Sequence, residues 1–187
     1  QLWSDLLNAT GRQTLIENCG NNKTFPYRDA SGVLQCPHHM WRISSDIQAK
    51  WESVIGNLQM LLHERIPGMA EWELSGPGCW AYPDMLEVGL APLTHTESRS
   101  HFGLWAVTSS PLILALDLGN ATAVNEVWDI IANKEALAVN QDYAGLSAKL
   151  IAQCVEAMGC KVPPGLPAQW QIWGKPIANR SQWAVVA

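Results

Sequence analysis

What most constrains this chain is the order in which its hydrophobic periodicities follow one another. Short apolar runs bounded by Gly, Pro and Asn alternate with stretches of helical period, and towards the C-terminal end the pattern becomes polar–apolar alternation. Runs that alternate with helices describe a parallel sheet covered by helices, and consecutive period-two segments describe antiparallel strands. Gln1–Thr10 reads as the end of a helix, with Leu2, Leu6 and Leu7 apolar and Gly11 as its stop. Thr14–Asn18 and Met40–Ser44 read as short strands, separated by a polar loop from Asn21 to Pro37. Asp46–Glu64 is the clearest helix, because Ile47, Trp51, Val54, Ile55, Leu58, Leu61 and Leu62 recur at steps of three and four. Ser45 or Asp46 is its expected N-cap, and Pro67-Gly68 its end. A third apolar stretch surrounds Cys79-Trp80 and Met85–Val88. Thr94-His95-Thr96-Glu97 is a capping box that opens a helix to about Thr108. Pro111–Leu118 is a continuous apolar run, as expected of a parallel strand buried on both faces, and Asn120–Ala132 is the next helix. Beyond Pro163-Pro164-Gly165, the segments Gln169–Trp173 and Gln182–Val186 alternate as antiparallel strands.

The expected fold class is therefore α/β: half of a (β/α)8 barrel in residues 1–145, then the start of a C-terminal antiparallel β domain in residues 146–187. A complete barrel of this kind takes about 250 residues, so both ends are expected to be cuts. Tryptophans Trp51, Trp105 and Trp128 fall on helical faces and are expected in the core. With 10 Trp against 3 Tyr and 2 Phe, others are free to stack on sugar rings.

A net charge of −5 with no Lys/Arg cluster argues against nucleic acid as a partner, and no apolar run approaches the roughly 18 residues of a membrane span. Asn8, Asn22, Asn120 and Asn179 each begin an Asn-x-Ser/Thr acceptor for glycosylation. Of the five cysteines, Cys19–Cys36 and Cys154–Cys160 read as loop-closing disulfides, which leaves Cys79 as a buried thiol beside Trp80. Sequons and disulfides together imply the secretory route: a secreted, vacuolar or lysosomal protein.

Catalytic groups of such barrels sit just past the carboxyl ends of the strands. Arg42 and Asp46 close the second strand, Asp84 follows the third apolar stretch, and Asp117 ends the fourth. A carboxyl beside a cation and another carboxylate is suited to general acid work. The plainer readings are a helix N-cap for Asp46 and a turn residue after Pro83 for Asp84.

Four segments in register resemble glycoside hydrolase family 27 of clan D, the α-galactosidases and α-N-acetylgalactosaminidases. Trp41-Arg42-Ile43-Ser44-Ser45-Asp46-Ile47 is similar to the end of the family's strand six. Pro83-Asp84-Met85-Leu86-Glu87-Val88-Gly89 is similar to its strand seven, and the run from Arg99 to Leu118 to helix seven and strand eight. Ala138-Val139-Asn140-Gln141-Asp142 is similar to the exit from the barrel. The resemblance implies that this is the half holding strands five to eight. It implies Asp46 as general acid/base, Arg42 as a contact to sugar and transition state, and Trp41, Asp84 and Met85 as pocket wall. The implied reaction is retaining hydrolysis of terminal α-linked galactose, with two carboxyls about 5–5.5 Å apart. The nucleophile, an Asp at the end of strand four in that family, is expected upstream of Gln1, so the 187 residues alone are expected to be inactive.

Two departures bear on the sugar. The family often follows its strand-five Cys with Glu-Trp or Asn-Trp, whereas Gly20-Asn21-Asn22 follow Cys19, which leaves Glu17 or Asn18 to make that contact. Ala81-Tyr82 stand where the family usually has Asn-Asp. N-acetylgalactosamine or arabinose thus stays open beside galactose, as do transglycosylation and a non-catalytic glycan-binding barrel. No cofactor is expected: Gly76-Pro77-Gly78-Cys79-Trp80-Ala81 lacks the βαβ setting of a dinucleotide loop. No metal is expected either, since Cys36, His38 and His39 lack a second ligand pair. The expected partner is a carbohydrate substrate, with a homodimer as the assembly left open.

Overall fold

The computed structural model describes residues 2–19, 26–63, 75–178 and 182–186. In chain order the elements are α1 (Leu2–Ala9), β1 (Glu17–Cys19), β2 (Tyr27–Arg28), β3 (Leu34–Gln35), β4 (Met40–Arg42), α2 (Trp51–His63) and β5 (Trp80–Tyr82). There follow α3 (His95–Val107), α4 (Ala121–Glu126), α5 (Trp128–Ile131), α6 (Lys134–Gln141), β6 (Lys149–Cys154), β7 (Trp170–Ile177) and β8 (Gln182–Val186). The fold is mixed α/β. Strands β1, β4 and β5 form a parallel sheet in that order, and Leu86 and Leu114 extend it by one parallel bridge. Strands β6, β7 and β8 form an antiparallel sheet, and β2–β3 a small hairpin.

One apolar core joins the two larger sheets. Trp41 and Ala81 from the parallel sheet, Val54 and Leu58 from α2, and Phe102, Trp105 and Val107 from α3 pack in a cluster that includes Trp173 of β7. Each of the larger aliphatic and aromatic side chains among them, fully buried, contributes about 1.5–3 kcal/mol. The capping box at the start of helix α3 is complete: Thr94 accepts from the Glu97 amide, and Glu97 accepts from the Thr94 amide.

Several expectations give way to local physics. Helix α2 begins at Trp51, not Asp46. The Asp46 carboxylate is bound to Arg42, and the Ile47 amide donates to Asp84, so neither is available to open a helix there. The expected end of that helix, with Pro67 and Gly68, lies outside the described residues. Pro111–Leu118 is not a laddered strand; among the described residues only Leu114 is bridged. Trp128 is 58% exposed. The expected single helix breaks at Val127, where φ is −123° and ψ 12°, and the shifted phase buries Val127 and Ile130 instead. Strand β6 and helix α6 were not expected as elements.

Disulfide pairing also differs. Cys36 is joined to Cys79, and Cys19 is a free, exposed thiol. The register explains this: Cys19 lies opposite Arg42 at the carboxyl end of β4, whereas Cys36 enters β4 from its amino end. There Cys79 precedes β5, with a Cα–Cα separation of 5.7 Å from Cys36. Cys154 and Cys160 are bonded to one another.

Candidate active site

Strands β4 and β5 are adjacent and parallel, so their carboxyl ends deliver side chains to one place. Arg42 is the last residue of β4, Asp46 lies in the loop that follows, and Asp84 comes two residues after β5. Arg42 Nη2 lies 2.7 Å from Asp46 Oδ1, and Arg42 Nη1 lies 3.1 Å from Asp84 Oδ2.

The two contacts are unequal. Asp84 is buried, and both its carboxylate oxygens and its carbonyl are occupied. Its Oδ2 also accepts from the Ile47 amide at 2.9 Å, its Oδ1 from the Met85 amide at 2.8 Å, and its carbonyl from Trp105 Nε1 at 2.7 Å. These bonds hold the backbone of Asp84 at φ 82°, a left-handed conformation unusual outside glycine, for which Asp and Asn are enriched. Removing one partner of so buried a pair costs about 3–5 kcal/mol. Asp46, by contrast, has a side chain 88% exposed, and an exposed pair is worth at most about 1 kcal/mol. Asp84 therefore anchors, through Arg42 and Ile47, both ends of the loop that carries Asp46. Burial opposes the Arg42 charge, but Asp84 and Asp46 outweigh it and its pKa is raised. Among the described residues, Arg42 Nε is buried without a hydrogen-bond partner.

Side chains alternate along a strand, so in-register partners share a face. Glu17, Met40 and Trp80 are in register, as are Cys19, Arg42 and Tyr82, and these six share one face. Asn18, Trp41 and Ala81 occupy the other. The expected wall residues are thus divided between the two faces. Trp41 is 3% exposed and packs in the core beneath the helices, and Asn18 lies on its side of the sheet. Asp84 is 7% exposed with its carboxylate tied to backbone amides, whereas Met85 is 37% exposed beside it. Glu17 does share the face of Arg42, and its carboxylate accepts from the Tyr82 hydroxyl. Burial, reinforced by Glu17, pushes the Tyr82 phenol above its ordinary pKa. Glu87, which sequence reading passed over, has its carboxyl raised by burial and then by Asp84. Its place between Asp84 and Gly89 in the strand-seven segment is the one signal that pointed to it. Asp117 is exposed, and its Oδ1 accepts from the Gly119 amide in a local turn.

Cys36, His38 and Cys79 bring three ligand-type atoms within 4.8 Å of one another, but the two sulfurs are bonded together and offer no thiolate to a metal. Asn8 and Asn120 are exposed, and the Asn120 carbonyl oxygen caps α4; Asn22 and Asn179 lie outside the described residues. No described helix is long and apolar enough to cross a membrane.

The family model described as alpha galactosidase A matches residues 1–142. The chain belongs to this family. Alpha-galactosidase 3 of Arabidopsis thaliana is 34% identical over 175 residues, covering 94% of this chain and 35% of that protein. A probable alpha-galactosidase of Dictyostelium discoideum is 31% identical, covering 100% of this chain and 42% of its own length. The chain thus spans less than half of these alpha-galactosidases. The solved alpha-galactosidase of Saccharomyces cerevisiae with raffinose superposes over 94% of this chain and 40% of its own, with a TM-score of 0.67 and 25% identity.

Proposed function

We propose that these residues belong to a retaining glycoside hydrolase that removes terminal α-linked galactose, with Asp46 as its general acid/base. The observation that carries the reading is Arg42 held between two carboxylates of opposite character, Asp84 buried and Asp46 open to solvent. A general acid must reach the leaving oxygen, and of the two only Asp46 is accessible. Asp84 is 7% exposed, with both carboxylate oxygens engaged by Arg42 and by the Ile47 and Met85 amides. The attacking carboxylate of a retaining pair is a second group, which the resemblance sets at the end of the barrel's fourth strand. Arg42 spans the gap, orienting Asp46 in the free site and offering a donor to a sugar hydroxyl.

On this reading, residues 1–145 are the second half of a (β/α)8 barrel and residues 146–187 begin a β domain. Two disulfides and the exposed sequons at Asn8 and Asn120 support passage through the secretory route. Glu17, steadied by Tyr82, is the sugar contact on the face of Arg42. That pair also favours a second reading, a glycan-binding barrel without turnover, because Tyr82 occupies a position where the family carries an acid.

The deciding experiment is hydrolysis of an unactivated α-galactoside by the intact protein and by its Asp46→Asn variant. Loss of turnover in the variant, with binding retained, supports the assignment. Turnover retained by the variant removes Asp46 from the role, and no turnover in the unaltered protein favours the binding module.

A further inference from the structure

A cleft of about 190 Å³ lies between α2, α3 and the segment leading into β7. We propose that it binds one ring of a neutral saccharide, independently of the Arg42–Asp46–Asp84 cluster. Its chemistry carries the argument. Trp51, Trp170 and Trp173 line it together with Gln169, Gln171 and Ser100, and none of the described lining residues is ionisable. Flat apolar faces beside amides and a hydroxyl match a pyranose, which has an apolar face of C–H groups and a rim of hydroxyls. A charged ligand finds no counter-ion there, and a wholly apolar one leaves the amides unpaired.

The site is also built before any ligand arrives. Trp173 is fully buried and forms the floor, while Trp170 is 47% exposed and presents its ring. The Gln171 carbonyl oxygen accepts from Gln59 at 3.0 Å and from Trp173 Nε1 at 3.2 Å, and its amide nitrogen donates to Gln153 at 3.2 Å. That network fixes the side chain and leaves one amide proton to give. The Gln169 amide donates to the Cys154 carbonyl at 2.8 Å, which ties the cleft's edge to the disulfide-closed turn of Cys154 and Cys160. Pro163, Pro164 and Pro167 stiffen the approach, and Gly165 lies close against Glu52 of α2. A site on helices and a strand, with its amide already oriented, loses little order on binding.

None of the lining residues belongs to the Arg42 cluster, so the cleft would hold a glycan to the protein while its terminus is elsewhere. For a single hexose the expected dissociation constant is on the order of 1 mM.

The test is an NMR titration of the tryptophan indole N–H signals in the intact protein with methyl α-galactoside, methyl α-glucoside and lactose. At least one of these is expected to shift the Trp51 and Trp170 signals saturably. Trp170→Ala, and separately Gln169→Ala on the exposed rim, should each weaken that binding by ten-fold or more. The Asp46→Asn variant, which loses only an exposed pair, should leave the same shifts unchanged, which separates this site from the proposed catalytic one. Three results overturn the proposal: no saturable shift with any of the sugars, shifts abolished by Asp46→Asn, or binding of the same strength in both cleft variants.

Discussion

Arg42 and Lys175 are both largely withdrawn from water, and the ways they are held differ in a manner that separates chemistry from architecture. Arg42 has two carboxylate partners, one buried and one facing solvent, and its side chain keeps 16% exposure. Lys175 is fully buried in β7. Its Nζ donates to Ser109 Oγ at 2.8 Å and, more weakly, to the Asn140 carbonyl at 3.5 Å. Burial pushes the Lys175 amine down to about 8, with Asp142 pulling the other way. The arginine stands where strand ends open outward, with an anion free to swing to a ligand. The lysine stands where the antiparallel sheet meets α3 and α6, and it joins elements through neutral acceptors. A paired, half-open cation is what the proposed chemistry needs, whereas a dry cation bound to a hydroxyl is a junction.

The largest expected effect tests the first half of that contrast. Asp46→Asn should lower turnover of unactivated α-galactosides by about 10²–10⁴-fold, the usual worth of a general acid. It should leave the unfolding midpoint almost unmoved, since the lost pair is an exposed one. A large fall in stability would make Asp46 structural and erase the distinction from Lys175.

Next in size is the acid limb of stability. His101 is buried against Trp105, its Nε2 accepts from the Glu87 amide, and burial lowers it from 6.5 to about 3. Its folded pKa lies below the unfolded one, so the native state gains from keeping it neutral. That gain is present above 6.5 and is lost as pH falls towards 3, by up to about 5 kcal/mol. His101→Gln, which keeps an acceptor for Glu87, should flatten the limb in denaturant titrations. A limb of unchanged depth would exclude His101 as its cause.

Lys175 gives a smaller change on the alkaline side. With a folded pKa of about 8 below the ordinary 10.5, the unfolded chain holds the proton longer. Stability therefore rises between those values, by at most about 3 kcal/mol. In Lys175→Met the rise should vanish. Near neutral pH the variant should differ little, because the lost desolvation cost offsets the lost hydrogen bonds. If the difference between the two proteins does not vary with pH, Lys175 is not the dry cation described here.

The alternation of runs and helices was legible because each buried face imposes its period, and the Arg42–Asp46 spacing was legible as a motif. The face of the sheet that each candidate takes was not. Strand β4 is three residues long with Met40 and Trp41 both buried, so no alternation marked Trp41 as facing the helices. The partner of Cys36 depended on register across β1, β4 and β5, which local spacing does not encode. Asp84 read as a turn residue because its anchoring bonds come from Arg42, Ile47 and Trp105, two of them about forty positions away in sequence. Lys175 is two residues from Trp173 and shares its buried face of β7, where Ser109 and Asn140 receive it; a lysine's charge gives no hint of that placement.

Helix α3 touches both cations indirectly, which makes its cap the finest probe of the comparison. Trp105, within the helix, donates to the Asp84 carbonyl, and Ser109, just beyond it, accepts from Lys175. Thr94→Ala removes the N-cap oxygen at the far end of the helix and should cost about 1 kcal/mol. If the two clusters draw on α3 only as a rigid support, that loss appears in the unfolding midpoint while turnover and the alkaline rise keep their wild-type form. If turnover falls along with stability, α3 holds Asp84 under strain, and the cap supplies part of what fixes the left-handed backbone there. A change in the alkaline rise alone would place the weak point at Ser109. Because the cap is remote from both cations, each outcome assigns the coupling to one end of a single helix.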